Sequence, residues 1–153
     1  MEDGLMPKPV EAILKGWLER VLSAGFAYGE GRLFDRAGLR GTRAVLSFTT
    51  NGRRASYAED GWHGPIADTV RPLHQGLRFV GFDVLPPHVI YDAVRGSNAD
   101  REKALHAWEA RLRNIHEESP ITFRPVDDFD ASGRLNASAD LAHVDVSSEH
   151  DDE

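Results

Sequence analysis

Apolar residues recur at spacings of three and four through Val10, Ile13, Leu14, Trp17, Leu18, Val21 and Leu22. That period predicts an amphipathic helix over residues 10–23, closed by Gly25, which can adopt the left-handed conformation that helix ends favour. After a glycine-punctuated loop, Ala44, Val45, Leu46, Ser47, Phe48 and Thr49 form a short β-rich run, apolar on both faces at its start, as in parallel strands covered on both sides. Asn51 and Gly52 end it with turn chemistry, and residues 53–64 are too polar and glycine-rich for regular structure. Pro65 suits the first turn of a second helix, with Ile66, Val70, Leu73 and Leu77 on its apolar side and Pro72 predicting a kink or break. Residues 79–85 form a second strand candidate, closed by Pro86 and Pro87, and Val89, Ile90 and Tyr91 either extend it or form a separate short strand. Ser97 with Asp100 predicts a helix N-cap; the helix runs to about Glu117 with Leu105, Trp108, Leu112 and Ile115 on one face. Ser119 and Pro120 break it, and Ile121, Phe123, Val126 and Phe129 suggest that residues 121–136 dock as an irregular arm.

The predicted order of helix, strand, helix, strand, helix is that of an α/β fold with parallel strands and crossover helices. Two or three strands cannot cover three amphipathic helices, so a missing portion or an intimate oligomer is expected. At 153 residues and 41% hydrophobic composition the chain reads as one soluble globular domain. Its net charge of −7 is concentrated at one end: Asp140, Asp145, Glu149, Asp151, Asp152 and Glu153 lie in a stretch with no Lys or Arg. Residues 137–153 therefore read as a disordered acidic tail, residues 1–9 as a leader, and residues 10–136 as the domain. The near-neutral body offers no basic face for nucleic acid. The chain has no cysteine, which excludes a disulfide scaffold and a thiol nucleophile and suits a reducing cytoplasm. No apolar run approaches the ~18 residues of a membrane span, and the acidic start is unlike a signal peptide.

The best candidate site lies where the first strand ends. In open α/β sheets ligands bind outside the carboxyl ends of strands, and there Thr49, Thr50, Asn51 and Gly52 offer hydroxyls and backbone N–H groups to a polar ring edge. Tyr57 adds a phenol and His63 an imidazole that exchanges protons near neutral pH; together they could stabilise negative charge developing on a bound cofactor. The same residues are also ordinary turn and surface chemistry. Trp17 and Trp108 lie on apolar helix faces and are expected in the core, whereas Trp62 beside His63 is a candidate pocket wall. His74 and His88 are too isolated for a metal site.

Several strings together carry a resemblance: Ala12, Ile13, Leu14, Lys15, Gly16 and Trp17; Gly25, Phe26, Ala27 and Tyr28; Leu46 through Gly52; Tyr57; and Gly61, Trp62, His63 and Gly64. They resemble the second half of the flavin-dependent NAD(P)H:quinone oxidoreductases of the DT-diaphorase type. The resemblance covers about residues 10–130 and implies a partial flavodoxin-like fold, parallel strands with flanking helices, whose first strands and flavin phosphate loop would lie before Met1. It implies hydride transfer from NADH or NADPH to FAD (rather than FMN), then two-electron reduction of a quinone-like acceptor. Tyr57 and His63 fall at the catalytic positions, and Thr49, Thr50, Asn51, Gly52 and Tyr57 at the positions that cradle the isoalloxazine ring. Arg101 aligns with an arginine on the adenine side of FAD, and Phe26 and Tyr28 with residues lining the quinone pocket. The family's sites lie at a dimer interface, so a homodimer is expected. A member that binds no flavin and serves as a fold fragment or partner-binding subunit is the alternative.

Overall fold

The computed structural model describes residues 12–136; the leader and the acidic tail expected from the sequence lie outside them. Helix α1 (Ala12–Val21) is followed by a looped segment with a 3₁₀ turn at Phe34–Arg36. Strands β1 (Arg43–Ala44) and β2 (Ser47–Thr49) come next, then a 3₁₀ turn at Arg54–Tyr57, helix α2 (Ile66–Phe79), strands β3 (Asp83–Val84) and β4 (His88–Ile90), and helix α3 (Asn98–Asn114). Gly25 at φ 87° ends the α1 region as expected. The Ser97 side chain accepts from the Asp100 amide while the Asp100 carboxylate accepts from the Ser97 amide, a reciprocal cap that opens α3.

Both strand pairings are parallel, β1 with β3 and β2 with β4. They are one two-stranded ribbon interrupted once, and the interruption follows from proline chemistry. Asp83 N–H donates to Thr42 O at 2.9 Å and Leu85 N–H to Ala44 O at 2.8 Å. The next donor in this alternation would be residue 87, but a proline has no N–H. Leu46 O is taken instead by His88 N–H at 2.8 Å. One extra residue thus enters the second segment, so Ala44 faces Val84 while Ser47 faces His88. A one-residue slip exchanges the faces of every side chain beyond it, and His88, Val89, Ile90 and Tyr91 are set by this slip.

Several boundaries differ from expectation. Phe79 ends α2, and Val80, Gly81 and Phe82 turn the chain into β3 instead of belonging to the strand. Gly81 is required at that turn: its φ is 96°, and a Cβ would lie 3.1 Å from Ala37 Cβ and 3.2 Å from Phe34 O. Helix α2 runs through Pro72 without the expected break; Pro72 is exposed, and the helix keeps Val70, His74 and Leu77 buried on its other side. Val89 and Ile90 belong to a separate short strand. The arm at 121–136 docks as expected, with Ile121 N–H donating to Val84 O at 2.8 Å and Arg78 donating to Arg124 O.

The buried core consists of Ala27, Ala37, Val70, Leu77, Val80, Val84 and Leu85, with His74 as its polar member. It lies between α2 and β3. The apolar stripe of α1 is left largely open. Trp17, expected in the core, is 51% exposed, and Ile13, Leu14 and Val21 are exposed as well. Trp108 is half-buried instead of core, with its ring 4.5 Å from that of His88. Both departures have one cause: two short strand pairs present too little sheet to cover these faces. No helix among the described residues is long and apolar enough to cross a membrane.

His74 and His88 are both held below the usual histidine range, His74 by burial and His88 by burial and then by the nearby Arg111 guanidinium. The Nε2 atom of each is buried without a hydrogen-bond partner, so protonation would place an uncompensated charge there. A folded-state pKa below the unfolded one means that the unfolded chain binds more protons in the window between them, so stability rises with pH there. Urea unfolding should show full stability above about pH 6.5, the unperturbed histidine value. Stability should decline as pH falls through that value toward the depressed folded ones. His74→Gln should flatten the decline; a wild-type profile level from about pH 7 to 5 would contradict the assignment.

Candidate functional site

The ribbon ends by delivering Thr50. Its N–H donates to Ile90 O at 2.8 Å, and its own carbonyl accepts from Ala93 N–H at 3.0 Å. Thr50 is therefore tied on one side to the end of β4 and on the other to the segment that follows it. Asp92, at φ 51°, makes the opposite turn and donates its N–H to Gly52 O at 3.2 Å. Asn51 braces the same junction, with Oδ1 accepting from Val94 N–H at 3.3 Å. Asn51 itself has no left-handed φ, so the positive-φ tolerance of asparagine is not what maintains this turn.

From this anchored end a polar cluster is built. The Thr50 hydroxyl lies 2.7 Å from the Tyr57 hydroxyl and accepts from Gly52 N–H at 3.1 Å. The Tyr57 ring stacks on His63 at 4.8 Å with a 28° interplanar angle. Tyr57 is carried by the 3₁₀ turn, and His63 returns to it because its N–H donates to Ser56 O at 2.9 Å. That return requires glycine at position 61, where a Cβ would lie 2.5 Å from both Ala55 O and Ser56 O. At Gly52 a Cβ would approach Tyr57 Cε2 to 2.8 Å, so the strand-end turn and the phenol ring are in close contact.

Tyr91 completes the group, its ring 5.7 Å from that of Tyr57 and the Arg54 guanidinium carbon 4.7 Å from the centre of the Tyr91 ring. Burial raises the Tyr91 pKa, Arg54 opposes the rise and Tyr57 adds to it, which keeps Tyr91 a neutral phenol at ordinary pH. Sequence reasoning did not include Tyr91. The signal was its place just beyond Ile90, but the Pro87 slip that sets its face is a property of pairing and is invisible in one strand alone.

The expected site residues divide into groups. Thr50, Gly52, Tyr57 and His63 meet directly, and Thr49 lies exposed at the end of β2 beside them. Arg101 braces its own loop, donating through Nη1 to Ala93 O and Gly96 O at 3.0 and 2.7 Å and through Nη2 to Asn98 Oδ1 at 3.3 Å. Phe26 and Tyr28 do not join the cluster. Tyr28 packs against Phe79, ring centroids 5.1 Å apart, where α2 ends and the chain turns into β3. That is the end of the ribbon opposite Thr50. Phe26 is 60% exposed there. Trp62, weighed as a pocket wall, is 92% exposed and walls nothing among the described residues.

Parallel strands with a crossover helix define an α/β protein, and the polar cluster lies beyond the carboxyl ends of the strands, where ligands bind in open α/β folds. A family model described as the flavodoxin-like fold matches residues 10–114, and the chain belongs to that family. It is 41% identical over 122 residues to NAD(P)H dehydrogenase [quinone] 1 of Rattus norvegicus, a match covering 79% of this chain and 44% of the rat protein. A Klebsiella pneumoniae protein described as a candidate quinone reductase superposes with a TM-score of 0.77 at 31% identity, over 88% of this chain and 58% of that one. A general stress protein 14 from Treponema denticola, in complex with FMN, has a TM-score of 0.54 at 25% identity, covering 69% of this chain and 56% of that one. The chain spans about half the length of the curated relatives it matches.

Gly52→Ala should force the Tyr57 ring away from the turn. The expected result is loss of the ring-current shifts between Tyr57 and His63 in NMR spectra and a stability loss of about 1 kcal/mol, the typical worth of one hydrogen bond. Unchanged ring shifts would contradict the close approach.

Proposed function

We propose that this chain supplies the flavin-ring site of a two-electron NAD(P)H:quinone oxidoreductase. The observation that carries the reading is the joined Thr50, Tyr57 and His63 cluster beyond the parallel strands. It is supported by the likeness to the rat quinone dehydrogenase and to the FMN-bound structural neighbour. The donor chemistry suits a flat heteroaromatic ring with a polar edge. Tyr57 offers a phenol O–H, His63 an imidazole, Thr49 an exposed hydroxyl, and the close contact of Gly52 with Tyr57 leaves that turn free of a side chain.

When bound, a flavin supplies the hydride-accepting and hydride-donating chemistry. The protein's task is to answer the charge that this brings. Donors at the edge of such a ring would stabilise negative charge only as it develops, which would lower the barrier more than it tightens ground-state binding. The stacked Tyr57 and His63 rings are suited to this role. The flavin is proposed to be FAD, as the quinone-dehydrogenase resemblance implies, with NADH or NADPH as donor and a quinone-like molecule as acceptor. Arg101 would meet the adenine side with the part of its guanidinium that the loop carbonyls leave unused.

A homodimer belongs to the same reading. Phe26 and Tyr28, proposed to line the acceptor pocket, lie at the opposite end of the ribbon from His63. They reach a flavin ring only from a second copy, and the exposed α1 stripe is a surface that such a copy would cover.

Tyr57→Phe and His63→Gln are expected to slow flavin reduction by NAD(P)H by about 10- to 1,000-fold, up to the scale seen when one charge-stabilising donor is removed. Flavin affinity should change little. Stopped-flow reduction with a parallel flavin titration checks this, and release of the bound cofactor distinguishes FAD from FMN. Wild-type reduction rates in both variants would remove these residues from the reaction.

A further inference from the structure

Thr50 is the one hydrogen-bond partner of the Tyr57 hydroxyl among the described residues, and we propose that it is a positioning residue that turns Tyr57 into a hydrogen-bond donor toward the bound flavin. This rests on the functional reading above, in which Tyr57 faces the ring.

A threonine hydroxyl has one proton and two lone pairs. One lone pair of Thr50 Oγ1 is occupied by Gly52 N–H at 3.1 Å. The Tyr57 oxygen, 2.7 Å away, can either accept from Thr50 or donate to it. If Tyr57 donates, the Thr50 proton has no acceptor among the described residues. If Thr50 donates, the Tyr57 oxygen is satisfied and its own proton points outward, without an acceptor until a ligand provides one. An acceptor atom brought to Tyr57 therefore selects the second arrangement. The order of donation is then Gly52 N–H to Thr50, Thr50 O–H to Tyr57, and Tyr57 O–H to the ligand. Each donation polarises the next, so Tyr57 becomes a stronger donor as negative charge grows on the ring.

The position of Thr50 makes this a built device. Its N–H and C=O are both in the ribbon's hydrogen bonds, at 2.8 and 3.0 Å, so Oγ1 is located by the sheet. Tyr57 by contrast is carried on a short 3₁₀ turn within an irregular loop. The hydroxyl contact is what ties a loop residue to the rigid frame, and rigid support is what charge-stabilising donors need.

Thr50→Val keeps the shape and removes the hydroxyl; Thr50→Ser keeps the hydroxyl. In the flavin-free chain, Thr50→Val should speed amide exchange at Gly52, and Thr50→Ser should not. In the flavin-loaded full chain, Thr50→Val should slow reduction by about five- to tenfold, the worth of one neutral hydrogen bond, with flavin affinity within about threefold of wild type by the same measure. It should also lower the midpoint potential of the bound flavin. Thr50→Ser should restore both, and in a Tyr57→Phe background Thr50→Val should add nothing. Slow reduction in Tyr57→Phe beside normal reduction in Thr50→Val would overturn this proposal alone, as would failure of Thr50→Ser to rescue or effects of the two substitutions that multiply. Normal reduction in both Tyr57→Phe and His63→Gln would overturn the functional reading and this proposal with it.

Discussion

The site depends on a missing N–H. Pro87 cannot make the ladder bond that alternation assigns to it, so Leu46 O pairs with His88 and one residue is gained in the second segment. Everything beyond follows from that slip: Ile90 opposite Thr49, Ile90 O on Thr50 N–H, and Tyr91 beside Tyr57. Without it the strand faces would be exchanged and the polar end of the ribbon would present a different set of side chains. The bulge is also braced from outside, since the Arg111 guanidinium donates to Pro86 O at 2.5 Å and pairs with Glu118 through two bonds. Arg111 belongs to α3, so the third helix holds the irregularity that sets the site.

The elements were legible in the sequence where period and punctuation agreed. The three helices, the Ser97 cap and the glycine stop at Gly25 follow from local chemistry, although α3 ends at Asn114 and not near Glu117, and residues 53–64, read as irregular, hold the 3₁₀ turn Arg54–Tyr57. The strand ends did not. Phe79 and Val80 are as β-compatible as the residues after them, and only the tight turn at Gly81 against Ala37 and Phe34 assigns them elsewhere. Of the kink or break that Pro72 predicts, the break does not occur, since the helix continues through it with Val70, His74 and Leu77 buried on the other side. Tertiary burial outweighed a local penalty.

For the site, the strand-end position of Thr49, Thr50, Asn51 and Gly52 was readable from position in the fold, and the Tyr57 and His63 loop from its chemistry. What stayed hidden was connectivity: the hydroxyl pair, the stacked rings and the arrival of Tyr91. Phe26 and Tyr28 show the opposite case. Sequence likeness grouped them with the site, and the structure puts them at the far end of the ribbon. Trp17 and Trp108 were expected inside because their helices are amphipathic, yet burial requires a partner face, and two strand pairs supply little. The open α1 stripe and the separated aromatic pair point to the same requirement for additional surface.

The central claim is that a flavin ring binds on the strand-end cluster. Titration of FAD into isotope-labelled protein, followed by amide and aromatic NMR shifts, tests it most directly. The account predicts that the largest changes fall on residues 49–64 and on Tyr91, with the stacked Tyr57 and His63 ring signals moving together. Changes centred elsewhere, or none at saturating flavin, would contradict it.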